Sequence, residues 1–287
     1  EVLGWVDVIC SDKTGTLTAN AMTARQCVTA LQLHRIEGDG YRPEGSIMPP
    51  ADAALIAAAR VALLCNDASL SQENGQWQLH GDPTEGALLV LARKALPQFG
   101  QVLEQWPRVE ELPFESERRY MATLHRCDSE PTALLAVKGA PDRLMMCCET
   151  QFGANGPEPL DLACWQAELK RLGAEGMRVL ALAERRLPAD VHAEHGLVEK
   201  GLCLLALIGI NDPPRPEAID SIARCHQAGI RVKMITGDNP LTAAAIGAEM
   251  GLNVERVLTG AELDRLDSKG LDEAASAVDI FARTSPA

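Results

Sequence analysis

Aromatic side chains are scarce, ten among 287 residues, so each is a candidate for the core before it is a candidate for a ligand. Long apolar runs are missing as well. The longest free of charge, Leu202 to Ile210, falls far short of the roughly 20 residues a membrane-crossing helix needs, and no such helix is expected here. Positive charge is in short supply: 27 Lys and Arg against 40 Asp and Glu give a formal net charge of −13. That field repels phosphate backbones and anionic lipid, which excludes nucleic acid as an expected partner. An anionic ligand such as a nucleotide would need a local basic pocket. The nine cysteines are odd in number and none stands in a C-x-x-C spacing, so neither a disulfide framework nor a zinc site is indicated. They read as reduced, mostly buried small hydrophobes. No basic segment followed by an apolar one opens the chain, so no secretory signal is expected and a cytosolic compartment fits. A first residue other than Met and a stop after Ser285-Pro286 make the chain look like a piece of something longer.

What is present suffices for two domains of ordinary size, since 46% of the residues are apolar. Val6 to Cys10 reads as a buried strand delivering the polar loop Ser11 to Thr16 at its C-terminal end, where parallel strands place chemistry. Arg231 to Ile235 reads as a second such strand, ending in Thr236-Gly237-Asp238-Asn239-Pro240 before a helix over Leu241 to Met250. Val278 to Ala282 reads as a third. About two hundred residues separate the first strand from the second, too many for one crossover, so a domain is inserted between them. Within the insert, Ala51 to Cys65, Pro83 to Ala95 and Leu162 to Leu172 read as helices. Val109 to Pro113, Thr132 to Val137, Val179 to Glu184 and Leu202 to Ile210 read as strands, an α+β list. Glu37 to Pro50 reads as a loop, and Asn211 to Pro216, with three prolines, as a stiff return hinge.

Asp12-Lys13-Thr14-Gly15-Thr16-Leu17-Thr18 carries the chemistry. An aspartate at a strand end supplies an oxygen nucleophile already ionised at neutral pH, and a following Gly lets backbone N–H groups approach a phosphate. The obstacle is repulsion between carboxylate and phosphoryl group, which Lys13 and a bound Mg²⁺ would offset. The structural alternative is a turn Asp capping a nearby N–H. The heptad resembles the phosphorylation motif of the P-type ATPases, and Ile9-Cys10-Ser11 before it resembles their type II branch, which includes calcium and sodium/potassium pumps. Lys138-Gly139-Ala140-Pro141-Asp142, Asp212-Pro213-Pro214-Arg215 and Met234-Ile235-Thr236-Gly237-Asp238-Asn239 match further motifs in the family's order.

The resemblance implies a haloacid-dehalogenase-like, doubly wound parallel sheet (residues 1–20 and 212–287) split by an inserted α+β nucleotide-binding domain (21–211). Asp12, Lys13 and Thr14 would be catalytic, with Asp12 and Thr14 on Mg²⁺. ATP would be held by Glu85, Phe114, Arg118, Lys138, Gly139, Arg178, Arg215, Thr236, Gly237 and Asp238, with Phe114 stacking on adenine, Glu85 accepting from its amino group and Lys138 lining the same site. Each has a plainer reading. Asp82-Pro83-Thr84-Glu85 also spells an N-cap, a Pro at the first helical position and a capping-box Glu, Asp238 suits a helix cap, and Arg118 beside Arg119 suits a solvated face.

Phosphatases of that fold usually carry a second Asp two positions after the nucleophile, as general acid and base. Here that position is Thr14, which favours a long-lived acyl phosphate and a pump over the alternatives, a soluble phosphatase or a non-catalytic nucleotide-binding module. The family pattern continues past Phe281-Ala282-Arg283 to a Lys and a Gly-Asp-Gly-x-Asn-Asp segment whose Asp holds Mg²⁺. Without it, the resemblance implies ATP binding with little turnover, and a sheet edge beside the Asp12 strand able to pair with another copy. The expected setting is the cytoplasmic side of an integral membrane protein, with membrane helices and an actuator domain as further parts of the same pump.

Overall fold

A computed structural model describes residues 6–19, 21–38, 40–73 and 75–284, with the side chain of Thr14 outside that description. The chain forms two compact units. One takes residues up to Ala21, Leu172–Met177 and everything from Asp212 on, and the other takes Met22–Arg171 and Arg178–Asn211.

In chain order, β1 (Val8–Asp12) runs into one wide turn, Lys13–Leu17, closed by the Thr18 N–H on the Lys13 carbonyl at 3.0 Å. Then follow β2 (Thr23–Val28), β3 (Leu33–Ile36), β4 (Ile47–Met48) and α1 (Ala53–Leu64). A hairpin of β5 (Ser69–Glu73) and β6 (Gln76–His80) leads to α2 (Pro83–Ala95) and α3 (Phe99–Gln105). A meander of β7 (Arg108–Glu115), β8 (Tyr120–His125) and β9 (Thr132–Gly139) precedes α4 (Pro141–Cys147), β10 (Cys148–Gly153) and β11 (Gly156–Pro159). Next come α5 (Leu162–Ala174), β12 (Arg178–Pro188), α6 (His195–Val198) and β13 (Leu202–Asn211). Helix and strand then alternate through α7 (Pro216–Gln227), β14 (Arg231–Thr236), α8 (Pro240–Glu249) and β15 (Val257–Thr259). The last elements are α9 (Gly260–Leu263), α10 (Ser268–Ala277) and β16 (Ile280–Ala282).

The larger unit is built on a sheet in the order β4-β3-β2-β13-β12-β9-β8-β7, antiparallel at every step. β10 adds to β13 in parallel and carries β11. Helices α1 and α2 cover one face. α1 starts where the Asp52 carboxylate accepts the Leu55 N–H at 2.8 Å, and nine of its twelve residues are buried. A helix apolar on nearly all sides belongs inside a core. Leu55, Leu64, Leu88 and Leu91 meet Met121, Leu134 and Leu182 of the sheet there, each Leu contributing about 1.5–3 kcal/mol by leaving water. β8 is buried along its whole length, so it shows no polar alternation, and that is why the pattern in the sequence does not reveal it.

In the smaller unit, four parallel strands stand in the order β1-β14-β16-β15. α7 and α8 pack Ile222, Ala243 and Ile246 against Val232 and Met234 of β14 and Ile280 of β16. Among the described residues β1 pairs with β14 alone, an edge position. The structure corrects the expected buried strand over Val6 to Cys10: it runs from Val8 through Asp12, whose partner across the ladder is Ile235, and its residues alternate between exposed and half-buried as an edge strand's do. The Glu37 to Pro50 loop contains β4, and β12 extends well beyond the expected Val179 to Glu184. All nine cysteines are free, and five are buried. Among the described residues no helix is long and apolar enough to cross a membrane.

One buried group makes the larger unit sensitive to acid. His125 lies against the Trp106 carbonyl (Nδ1, 3.0 Å) and the Thr123 hydroxyl (Nε2, 2.8 Å). A carbonyl can only accept, so Nδ1 carries the proton and Nε2 accepts from the threonine. Burial pushes the His125 pKa down from 6.5 to about 4. Between those values the unfolded chain takes up a proton that the folded chain refuses, so stability falls as pH drops from 6.5 towards 4, by on the order of 3 kcal/mol at full extent. His125→Asn retains a donor towards Trp106 and does not titrate. Urea midpoints measured across that interval should fall more steeply for the wild type than for the variant, and parallel curves would refute the assignment.

Candidate functional site

In the smaller unit Asp12 is the last residue of β1 and is exposed. The β1 and β14 ladder puts it level with Ile235, one residue before Thr236. Lys13 turns inward and is almost fully buried. Its ammonium lies 2.8 Å from Asp238 and 3.9 Å from Asp212, so it is held between two carboxylates brought from distant parts of the chain. Asp212, itself buried, also accepts the Thr18 hydroxyl at 2.5 Å and the Ala21 N–H at 3.2 Å. Arg215 completes the scaffold. Its guanidinium donates to the carbonyls of Thr18 and Gly15, both at 2.9 Å, and its N–H donates to that of Leu17. The turn after Asp12 is therefore gripped from outside, and the Arg215 side chain, expected at the nucleotide, lies on the turn.

Thr236 is buried, and its hydroxyl accepts the Asp238 N–H at 3.1 Å. The expected capping role of Asp238 is corrected: Asn239 caps α8, accepting the N–H groups of Leu241 and Thr242 at 3.0 Å each. That frees Asp238 for Lys13. Gly237 has open space where a Cβ would stand.

In the larger unit, residues from β9, β12 and the segment after α1 converge on the N-terminal end of α2. Asp82 caps this helix, accepting from Thr84 and Glu85 at 2.8 and 3.2 Å, and Pro83 occupies its first turn. Glu85 does not close a capping box, as its letters suggested. Its carboxylate takes the Lys138 ammonium on one oxygen and the Asp67 N–H on the other, at 3.2 Å. Lys138 stands near the end of β9, mostly buried, on the face that α1 and α2 cover. Arg178, first in β12, donates to the Thr84 hydroxyl at 3.2 Å. Phe114 lies in a bulge of β7 where the register shifts between Leu112 and Glu115, opposite Met121, the ladder partner of Lys138. It is 61% exposed, which removes the reading of Phe114 as a core residue and leaves an open ring.

Two expected residues fall elsewhere. Arg118 is paired with Glu115 at 2.9 Å. Glu115 is in register with Tyr120, and successive residues of a strand point to opposite faces, so this pair belongs to the face opposite Met121 and Lys138. Gly139 is buried between β8 and β12, and a Cβ there would stand 2.6 Å from the Arg119 carbonyl oxygen. Its smallness is required by the packing of the strands. The reading of the sequence missed Asn66, Asp67 and Arg108, which hold Glu85 in place; Asn66-Asp67 directly after the apolar run of α1 is the signal of a helix end that could have found them.

A family model described as the cytoplasmic domain N of P-type ATPases matches residues 54–217. The chain belongs to the P-type ATPases. The probable cation-transporting ATPase F of Mycobacterium tuberculosis is 42% identical over 304 residues, covering 100% of this chain and 33% of its own length. The calcium-transporting ATPase of Bacillus subtilis is 35% identical over 303 residues, again with 100% and 33% covered. The calcium-transporting ATPase type 2C member 2 of Rattus norvegicus is 35% identical, with 100% and 30% covered. The chain thus spans about a third of the length of the curated relatives it matches. Within this P-type ATPase segment, Glu85, Phe114, Lys138 and Arg178 all fall inside the domain N match, and Asp12 and Asp238 fall outside it.

Proposed function

We propose that the larger unit (Met22–Arg171 and Arg178–Asn211) binds ATP at the N-terminal end of α2, and that Asp12 of the other unit is the acceptor of its terminal phosphoryl group. The observation that carries the nucleotide site is the convergence of Glu85, Lys138 and Arg178 on one end of one helix, with the open ring of Phe114 in the same row of the sheet. Phe114 offers a face for the base, Glu85 an acceptor for the adenine amino group, Lys138 and Arg178 positive charge in a molecule otherwise strongly acidic. Arg118 and Gly139, on the placement above, act by supporting the sheet. Thr236, Gly237 and Asp238 would border the transferred phosphate, and Arg215 would serve it by holding the turn.

The smaller unit is the phosphorylation domain on this reading, a part of a haloacid-dehalogenase-like sheet, with the larger unit inserted into it. Among the described residues no group of three or more metal-ligating side chains stands together. Mg²⁺ characteristically binds one or two carboxylates together with substrate phosphates and keeps several waters. The exposed Asp12 fits an ion that arrives with the nucleotide, which would offset the repulsion between carboxylate and phosphate, with Thr14 beside it. In the longer proteins of the family, the same parts would couple ATP to cation movement from the cytoplasmic side of a membrane.

Calorimetric titration of the 287-residue chain with ATP, with and without Mg²⁺, tests the nucleotide site. Lys138→Ala should weaken binding by about tenfold, the loss of one charge-assisted hydrogen bond, and Phe114→Ala by a comparable factor, given roughly 1–3 kcal/mol for stacking a base. The reading fails if the wild type shows no saturable binding at millimolar ATP, or if neither substitution changes the affinity.

A further inference from the structure

We infer that Arg108 is a positioning residue for recognition of the base: it acts through the Asn66-Asp67 segment to fix the carboxylate of Glu85, and so sets the preference for an adenine over a 6-oxopurine. This rests on the nucleotide site proposed above.

The chain of contacts is continuous. Arg108, the first residue of β7, places one guanidinium nitrogen 2.6 Å from the Asp67 carboxylate and 2.8 Å from that of Glu111. The other donates to the backbone carbonyls of Asn66 at 2.6 Å and Leu64 at 3.2 Å. These carbonyls stand at the end of α1, where helical partners have run out. Asn66, buried, adds its own ties: its amide donates to Ala62 and Glu85 carbonyls at 3.0 Å each, and its side-chain oxygen accepts the Ala68 N–H at 2.9 Å. The Asp67 N–H of the segment so fixed donates to Glu85 Oε2 at 3.2 Å. With Lys138 on the other oxygen, the Glu85 carboxylate is held at both ends and turned to a single orientation.

Orientation is what discrimination needs. A carboxylate accepts from the amino group of adenine but faces the carbonyl of hypoxanthine with like polarity, so a fixed acceptor separates ATP from ITP and a wandering one does not. Arg108 is suited to the task by its planar fork, which reaches two carboxylates and two carbonyls together. Lysine has the charge without the fork.

The test compares ATP and ITP binding to the whole chain for the wild type, Arg108→Lys and Glu85→Gln. The wild type should prefer ATP by about tenfold or more, the value of one well-formed hydrogen bond to a charged group. Arg108→Lys should reduce that ratio several-fold by weakening ATP while leaving ITP affinity unchanged. In the Glu85→Gln background the same substitution should leave the ratio where Glu85→Gln alone puts it. A general structural role would lower both affinities together, and that outcome, or an unchanged ratio in folded Arg108→Lys, overturns the inference. Should Arg108→Lys not fold, Asp67→Asn, at an exposed side chain, removes one arm of the clamp while keeping the backbone N–H and should shift the ratio in the same direction; an unchanged ratio there overturns it equally. A wild type that binds ATP without preferring it to ITP would instead dismiss the base-recognition role of Glu85 itself, and a wild type that binds neither would dismiss the site.

Discussion

Asp212→Ala is expected to destabilise the unit that carries Asp12 by about 3 kcal/mol, because it removes a buried carboxylate on which a hydroxyl, an N–H and an ammonium converge. The Thr18 hydroxyl loses its 2.5 Å acceptor and keeps the Lys13 carbonyl at 3.1 Å, and the Ala21 N–H loses the Asp212 carboxylate. Lys13 keeps Asp238 at 2.8 Å but loses the second carboxylate that balances it. The turn after Asp12 would then be held from this side by Arg215 and by the backbone contacts of Thr18 with Pro214 and Ala19 with Pro213. A urea titration followed by tryptophan-independent far-ultraviolet dichroism gives the comparison, and Asp212→Asn, which retains an acceptor, should recover part of the loss. A change below about 1 kcal/mol, the ordinary net contribution of a single hydrogen bond, would mean that the Asp212 carboxylate is not the tie that the distances describe.

Gly139→Val is expected to cost more than 3 kcal/mol, beyond the usual 1–3 kcal/mol of overpacking, because the neighbours are backbone and cannot turn away. A Cβ there would lie 2.6 Å from the Arg119 carbonyl oxygen and 2.8 Å from the Cβ of Tyr120. That carbonyl is itself fixed: Arg119 stands in the left-handed region (φ 59°), and its carbonyl accepts the Ala140 N–H at 2.9 Å. On the other side Ala181 of β12 is in register with Gly139, so the strand has nowhere to move. Gly100→Ala, in α3 with open space around it, is the control and should be neutral or stabilising by about 0.5–1 kcal/mol. Unfolding midpoints that fall alike for both glycines would refute the packing argument.

Much of this architecture was legible in the letters. The spacing of Asp12, Asp212 and Thr236 to Asp238 announced two strand ends and a return hinge, and Pro83 to Ala95 coincides with α2 to the residue. Local chemistry was harder to read where one pattern serves two purposes. Asp82-Pro83-Thr84-Glu85 spells a capping box, yet the cap is Asp82 alone, because Glu85 finds a cation and an N–H from parts of the chain 53 and 18 residues away. Asp238 and Asn239 compete for one helix end, and the nearby ammonium of Lys13 decides which of them caps it. Arg118 went to the wrong side of the sheet because the bulge at Phe114, invisible in a list of residues, resets which side chains share a face. β2 escaped notice since its buried and half-buried positions do not alternate, and β3 because one of its two buried positions is a histidine, His34.

The grip of residues 212–215 on the turn after Asp12, and of β14 on β1, carries a cost in time. During synthesis at about 5–20 residues per second, the first strand leaves the ribosome roughly 10 to 45 s before its hydrogen-bonding neighbour exists. Through that interval the larger unit can complete its own core, while the segment bearing Asp12 waits as an unpaired ribbon. Nascent chains stalled before residue 231 should therefore offer that ribbon, and not the insert, to trigger-type chaperones.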